Sequence, residues 1–283
     1  MARVEVVTDS ASDLPVDIAH SDNLAIVPLT IRFGAVELRD RSELSIDEFW
    51  ERCESQDTPP ETSAPAPGDF REAFLAAADR GADGVVCVTM SSSLSATYQS
   101  ALTAAADLGD RIRVEVIDSR SVTMGEGLIV DRALRVAREG GSLDGVASAV
   151  ADLIPRVRVR GTLDTLDYLR RGGRIGNAQA LLGSLLAIKP TLVLHEGRVE
   201  PGQRQRTRGR ALRQLVDEGR SEGLVERVAV VHAHARDIED FLSLVKETWP
   251  GLDVVVSELG PVIGTHAGPG AIGLCLQLAN PIS

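Results

Sequence analysis

An α/β fold of two lobes, with helices packed on the sheets and a ligand cleft or tunnel between the lobes, is predicted by three features of the sequence. Short runs rich in Val and Ile alternate with helical periodicities, the pattern of sheets covered by helices. The alternation pauses at a long helix ending near Pro155 and restarts with a new strand, which divides the chain into lobes at 1–155 and 156–283. The length of 283 residues suits two modest domains, and no long linker or low-complexity tract separates them. Lobes that touch make a cleft, and a cleft is the default ligand site.

In order along the chain, Val4–Val7 reads as a buried strand, with a helix start near Ser12 and Asp13. Ala25–Phe33, the turn at Gly34 and Ala35, and Val36–Arg39 read as a strand pair. Ser45-Ile46-Asp47-Glu48 has the form of a capping box, so a helix should run to about Glu54. Four Pro and one Gly between Thr58 and Gly68 exclude helix and central strand there. A helix over Asp69–Asp79, a strand over Gly84–Thr89, a helix over Thr97–Leu108 and a strand over Ile112–Ile117 follow. Helices over Gly127–Arg138 and Leu143–Ile154 close the first lobe. The second holds strands at Val157–Leu163, Thr191–Leu194 (turning at Glu196 and Gly197), Arg227–Val231 and Asp253–Leu259. Its helices are expected over Thr165–Arg171, Ala178–Ala187, Thr207–Gly219 and Ile238–Trp249.

Composition narrows the function. Apolar residues make up 43%, enough for a sizeable core, and only 3% are aromatic, so Leu, Val, Ile and Ala must build it. A formal net charge of −11 argues against clamping nucleic acid through its phosphates. Cys53, Cys87 and Cys275 lie far apart, implying neither a disulfide framework nor a thiolate zinc site. The start has no signal-peptide pattern, and no window approaches 18 uninterrupted apolar residues; the expectation is a soluble cytoplasmic protein.

Familiar enzyme signatures are absent: no P-loop and no G-x-S-x-G occur. The G-x-G at Gly125–Gly127 lacks its third Gly and a preceding strand, so it is not a dinucleotide site. His232 and His234 could share a strand face as a metal pair, but only Asp237 offers a third ligand. The distinctive feature is hydroxyl clustering at strand ends: Thr8 to Ser10, Thr62 and Ser63, Ser91 to Thr97, and Ser119. Strand carboxyl ends face the ligand crevice in open α/β sheets, and Ser or Thr beside free helix N–H groups can hold an anion. Capping accounts for one hydroxyl per site, not for five in the seven residues 91–97. His266, in the Gly- and Pro-rich stretch Ile263–Gly270, is a candidate anion partner in a loop; a tight turn between strands is the plainer reading. Arg170, Arg171 and Arg174 beside two Gly, and the basic run Arg204–Arg210, suggest exposed docking or phosphate-facing groups.

These pieces resemble the DegV family of bacterial lipid-binding proteins, which includes the fatty acid-binding subunit of fatty acid kinase. Thr8-Asp9-Ser10-Ala11-Ser12-Asp13-Leu14, Thr62 to Pro67, Ser91 to Ala101, Asp118-Ser119, Asp164 to Arg174, Lys189-Pro190 and Gly264 to Gly270 each match a family motif, in order and over nearly the whole chain. Ala64, Ala66 and Ala96 depart from it. The resemblance implies a fatty acid carrier with no cofactor and no chemistry of its own. One long-chain fatty acid such as palmitate, stearate or oleate would lie buried between the lobes. Its carboxylate would be bound among Thr62, Ser63, Ser92, Ser93, Ser95 and His266 and presented to a separate ATP-dependent kinase that forms acyl phosphate. Arg174 and Arg206 match positions associated with docking the kinase, and transient contact with a membrane surface would fit such a role. Two other readings remain at this stage: an acyl- or phosphoryl-transfer enzyme using His266 or Ser92 as nucleophile, for which no base is evident, and a lipid-responsive regulatory protein.

Overall fold

The computed structural model describes residues 2–56, 58–181 and 189–280. Its first half contains β1 (Val4–Asp9), α1 (Val16–Ala19), β2 (Leu24–Val27), β3 (Thr30–Phe33), β4 (Val36–Arg39), α2 (Ile46–Ser55) and β5 (Glu61–Ser63). It continues with α3 (Pro67–Asp79), β6 (Gly84–Thr89), α4 (Thr97–Ala106), β7 (Val114–Asp118), α5 (Thr123–Arg138) and α6 (Leu143–Leu153). The second half holds β8 (Val157–Thr162), α7 (Asp167–Arg171), β9 (Lys189–His195), β10 (Arg198–Gln205), α8 (Arg208–Ser221) and β11 (Val225–His232). It ends with α9 (Ile238–Thr248), β12 (Val254–Glu258), α10 (Pro261–Ala267) and β13 (Ile272–Leu278).

The first half forms a parallel sheet of order β2-β1-β6-β7. Its central strands β1 and β6 are buried at every position, as strands covered by helices on both faces must be. Phe70 and Phe74 of α3 pack on one face with Ala101 and Ala104 of α4. The second half forms a mixed sheet of order β10-β9-β8-β13-β11-β12, with Leu215 of α8 and Phe241 and Val245 of α9 in the core on one of its faces. A small antiparallel sheet, β4-β3-β5, holds the Pro-rich segment at its edge, where a short strand is tolerated beside proline.

Helix α5 joins the two large sheets. A Cβ on Gly125 would lie 2.2 Å from Val159 of β8, and one on Gly127 would lie 2.9 Å from the Ser12 carbonyl. The G-x-G pair thus serves close packing, with the first-half turn on one side and the second sheet on the other.

Several elements differ from the sequence expectation, the strand expected over Ala25–Phe33 being two, β2 and β3, in different sheets. The stretch around His266 is helix α10, not a turn: Pro261 sits at the first helical position, where its missing N–H costs nothing. Gly264 inside that helix lets α2 approach, since a Cβ there would be 2.8 Å from Phe49 and 3.1 Å from Trp50. Strand β13 was not anticipated, yet it is buried at all seven positions and lies between β8 and β11. Beyond the turn at Glu196 and Gly197 the chain forms β10, an edge strand whose register shifts between Pro201 and Arg204. Of the helix expected over Ala178–Ala187, residues 176–181 form a 3-10 turn and the rest lies outside the described residues. Among the described residues no helix is long and apolar enough to cross a membrane.

Candidate functional site

An apolar cavity of about 1010 Å³, open solvent at its mouth included, is lined by residues of both halves. Val159, Leu192, Leu194 and Ile272 line it from the second sheet, and Leu29, Met90 and Val122 from the first half. Arg160 and Val193 also reach the cavity wall, and the Arg160 guanidinium pairs with Glu218 of α8 and with Glu222 just beyond that helix.

Four polar side chains from four elements converge at one end: Thr62 of β5, Ser95 ahead of α4, Arg174 after α7 and His266 of α10. The His266 Nε2 and Thr62 Oγ1 are 2.9 Å apart. Arg174 donates from Nε to the Leu94 carbonyl at 3.1 Å and from Nη1 to the Gly172 carbonyl at 2.7 Å, which fixes the guanidinium beside the imidazole. Burial, with the positive charge of Arg174 adding to it, pushes the His266 pKa down to about 4. The ring is therefore neutral at pH 7, and its buried Nδ1 has no hydrogen-bond partner among the described residues.

Thr62, Arg174 and His266 also line a second, polar pocket of about 670 Å³ together with Tyr168 and Arg171. The guanidinium of Arg171 stacks over the Tyr168 ring at 4.8 Å. Three side chains thus stand between an apolar interior and a polar vestibule. Gly172 closes this arrangement: a Cβ there would fall 2.1 Å from His266 Nδ1. Gly172→Ala should displace the imidazole and lower affinity for any anion held there by about tenfold, the worth of one charge-assisted hydrogen bond. Titration of the variant checks this; unchanged affinity would mean that the ring position does not matter.

The remaining candidates lie apart. Ser92 is exposed, and both its N–H and Oγ engage the Asp118 carboxylate. Ser93 is exposed in a groove with Leu94, Arg174 and Arg198. Ser63 is exposed, one residue beyond Thr62 on a strand whose side chains alternate. Arg206 is exposed, whereas Arg174 is half-buried at the cavity. The reason is local: the Gly172 and Gly173 turn folds Arg174 back onto the carbonyls it bonds. Arg171 belongs to the basic group that the sequence marks beside two Gly, whereas Tyr168 has no signal there beyond its motif.

His232 and His234 do not form a metal pair: His234 leaves the strand with φ 47°, and its ring packs against Trp50. Among the described residues no three His, Cys, Asp or Glu side chains come together to hold a metal ion.

A family model described as an uncharacterised protein of the DegV family matches residues 3–278. The chain belongs to the DegV family. A DegV domain-containing protein of Caldanaerobacter subterraneus subsp. tengcongensis is 36% identical over 98% of this chain and 99% of its own. One from Streptomyces coelicolor is 38% identical, covering 97% and 98%. Among solved structures, the chain is similar to a fatty acid-binding DegV family protein from Thermus thermophilus (TM-score 0.87, 35% identity, 98% and 99% covered). It is also similar to a stearic acid-binding protein from Eubacterium ventriosum (TM-score 0.87, 28% identity, 98% of each chain).

Asp9, Asp13, Asp40 and Glu126 lie buried elsewhere in this DegV fold, as does Glu5, which pairs with Arg80. Asp9 accepts N–H bonds from Ala11 and Met90, but both Asp40 oxygens lack a partner among the described residues. Burial raises the pKa of Asp9 and of Asp40 to about 7, and it raises those of Asp13 and Glu126 too. The unfolded chain releases these protons from about pH 3.8 upward for the aspartates, so the stability these groups contribute is fullest below that pH and is lost as pH rises toward 7. His266 acts oppositely, costing stability as pH falls from 6.5 toward about 4. Four raised acids outweigh it, so the melting temperature should fall between about pH 5 and 8, and Asp40→Asn should flatten the slope. A melting temperature that rises across that range would contradict this.

Proposed function

We propose that this DegV protein carries one long-chain fatty acid, such as palmitate, stearate or oleate, and presents its carboxylate to a separate ATP-dependent kinase that forms acyl phosphate. The acyl chain would fill the apolar cavity and the carboxylate would meet Thr62, Ser95, His266 and Arg174. The observation that carries this reading is the apolar cavity ending in those four side chains, three of which also face a polar vestibule. The fatty acid-binding relatives support it.

Burying about 15 methylenes at ~0.8 kcal/mol each gives roughly 12 kcal/mol gross, before ordering costs. A carboxylate taken from water would cancel much of that unless donors meet it. Thr62 and Ser95 hydroxyls, a guanidinium and a ring N–H supply them, and the arriving anion would raise the His266 pKa from its depressed value. The vestibule would leave the carboxylate within reach of a phosphoryl donor, whose γ-phosphoryl would pass to a carboxylate oxygen as ADP leaves. The carrier would supply no group to that transfer beyond orientation. We also propose that lobes 1–155 and 156–283 are the two halves that enclose the ligand, that the carrier works in the cytoplasm, and that Arg206 belongs to the kinase-docking surface.

Protein purified from a bacterial host should yield about one fatty acid per chain on solvent extraction and mass spectrometry. Protein that is empty and takes up neither palmitate nor oleate would refute the carrier reading.

A further inference from the structure

The helix that carries His266 belongs to the second half of the chain but is held by the first. At its start, the Gly260 N–H donates to Asp13 Oδ1 at 2.9 Å. The same oxygen accepts from Arg41 Nη2 at 3.0 Å, and Arg41 also donates to the Leu14 carbonyl at 3.2 Å. The Asp13 carbonyl accepts the Ser257 hydroxyl, so both the backbone and the side chain of one residue grip the segment leading into α10. Gly260 is required for this approach: a Cβ would lie 2.9 Å from Asp13 Oδ1 and 3.0 Å from Arg41 Nη2.

Asp13 is an unusual residue to find here. It is fully buried and sits in the left-handed region at φ 47°, and both conditions cost free energy. Its contacts converge on the single turn ahead of α10. From Gly260 to His266 the helix rises about 9 Å. Within it, Gly264 N–H bonds the Gly260 carbonyl at 2.8 Å, and the Thr265 hydroxyl bonds the Pro261 carbonyl at 2.8 Å. Such a short, internally bonded helix moves as a unit, so a shift at Gly260 reaches His266. There the gap to Thr62 Oγ1 is 2.9 Å, and a hydrogen bond weakens with displacements of a few tenths of an ångström.

We infer that Asp13 is a positioning residue for the head-group end of the cavity: through Gly260 and Arg41 it sets where α10 holds His266 against Thr62. The inference rests on the reading of that end as a carboxylate site. It explains why an acid is kept in a buried joint: a carboxylate oxygen accepts from Gly260 and Arg41 together, and an amide or alanine cannot do so with the same strength.

The test compares palmitate with hexadecan-1-ol, which shares the chain but lacks the anion, each displacing a fluorescent fatty acid. The wild-type protein should prefer palmitate by about tenfold or more, and His266→Ala should remove that preference. Asp13→Ala should lower the palmitate-to-alcohol ratio at least about fivefold, Asp13→Asn and Arg41→Gln less, while affinity for the alcohol stays within about twofold. In a His266→Ala background, Asp13→Asn should change the ratio no further, since the two residues act in series. If Asp13→Ala does not fold, Asp13→Asn and Arg41→Gln carry the measurement. A ratio unchanged in those variants, with only the melting temperature lowered, overturns the inference and leaves the carboxylate site standing. A wild-type protein that does not distinguish palmitate from the alcohol overturns both.

Discussion

Replacing His266 by alanine should weaken palmitate binding by about tenfold or more, and Thr62→Val should do nearly the same. A buried carboxylate that loses a charge-assisted donor forfeits roughly 1.5–3 kcal/mol, and 1.4 kcal/mol is a factor of ten. The two effects should not add, because the residues bond each other at 2.9 Å and removing either releases the other. Ser95→Ala should cost less, since the Ser95 hydroxyl is already shared with Thr97 Oγ1 at 2.8 Å. Ser92→Ala is the control: its hydroxyl is committed to Asp118 on the exposed side, so affinity should stay within about twofold. Calorimetric titration of delipidated protein measures all four. Wild-type affinity in both His266→Ala and Thr62→Val would place the carboxylate elsewhere in the cavity.

The contrast between Ser92 and Ser95 marks the limit of what the sequence could tell. The hydroxyl-rich stretch 91–97 was visible as a cluster, but which hydroxyl turns inward depends on a few backbone angles between β6 and α4 that no periodicity encodes. Strands β1 and β6 were plain because continuous Val-rich runs have no other stable use than a covered sheet. Strand β13 escaped because the glycines and proline at 268–270 marked a turn, and nothing local says that the chain beyond it inserts between β8 and β11. Helix α10 escaped for a related reason. Gly264 reads as a breaker in isolation, and its value lies in the closeness of Phe49 and Trp50, a contact made only after folding. The same is true of Asp13, whose role depends on a glycine 247 residues further along the chain.

Arg206→Ala should leave fatty acid affinity unchanged yet nearly abolish acyl-phosphate formation in a reconstituted assay with a cognate kinase and ATP. The two arginines singled out from the sequence differ in setting, and their variants should differ in the same way. Arg206 is exposed on the connection between β10 and α8 and does not line the cavity, which is the setting the proposed docking role requires. A guanidinium there can engage a carboxylate or phosphate through two parallel bonds, and Arg206→Lys, a point charge, should recover only part of the activity. Arg174 is half-buried, bonded to two carbonyls and close enough to His266 to depress its pKa. Arg174→Ala should therefore lower both fatty acid affinity and acyl-phosphate formation. It should also let the His266 pKa rise toward its ordinary value, which the imidazole proton shifts measured by NMR against pH would record. Acyl phosphate formed from ATP with no kinase present would make the protein an enzyme in its own right and end the carrier reading. Loss of fatty acid binding on removing Arg206 would tie the exposed basic run to the cavity, whose lining does not include it.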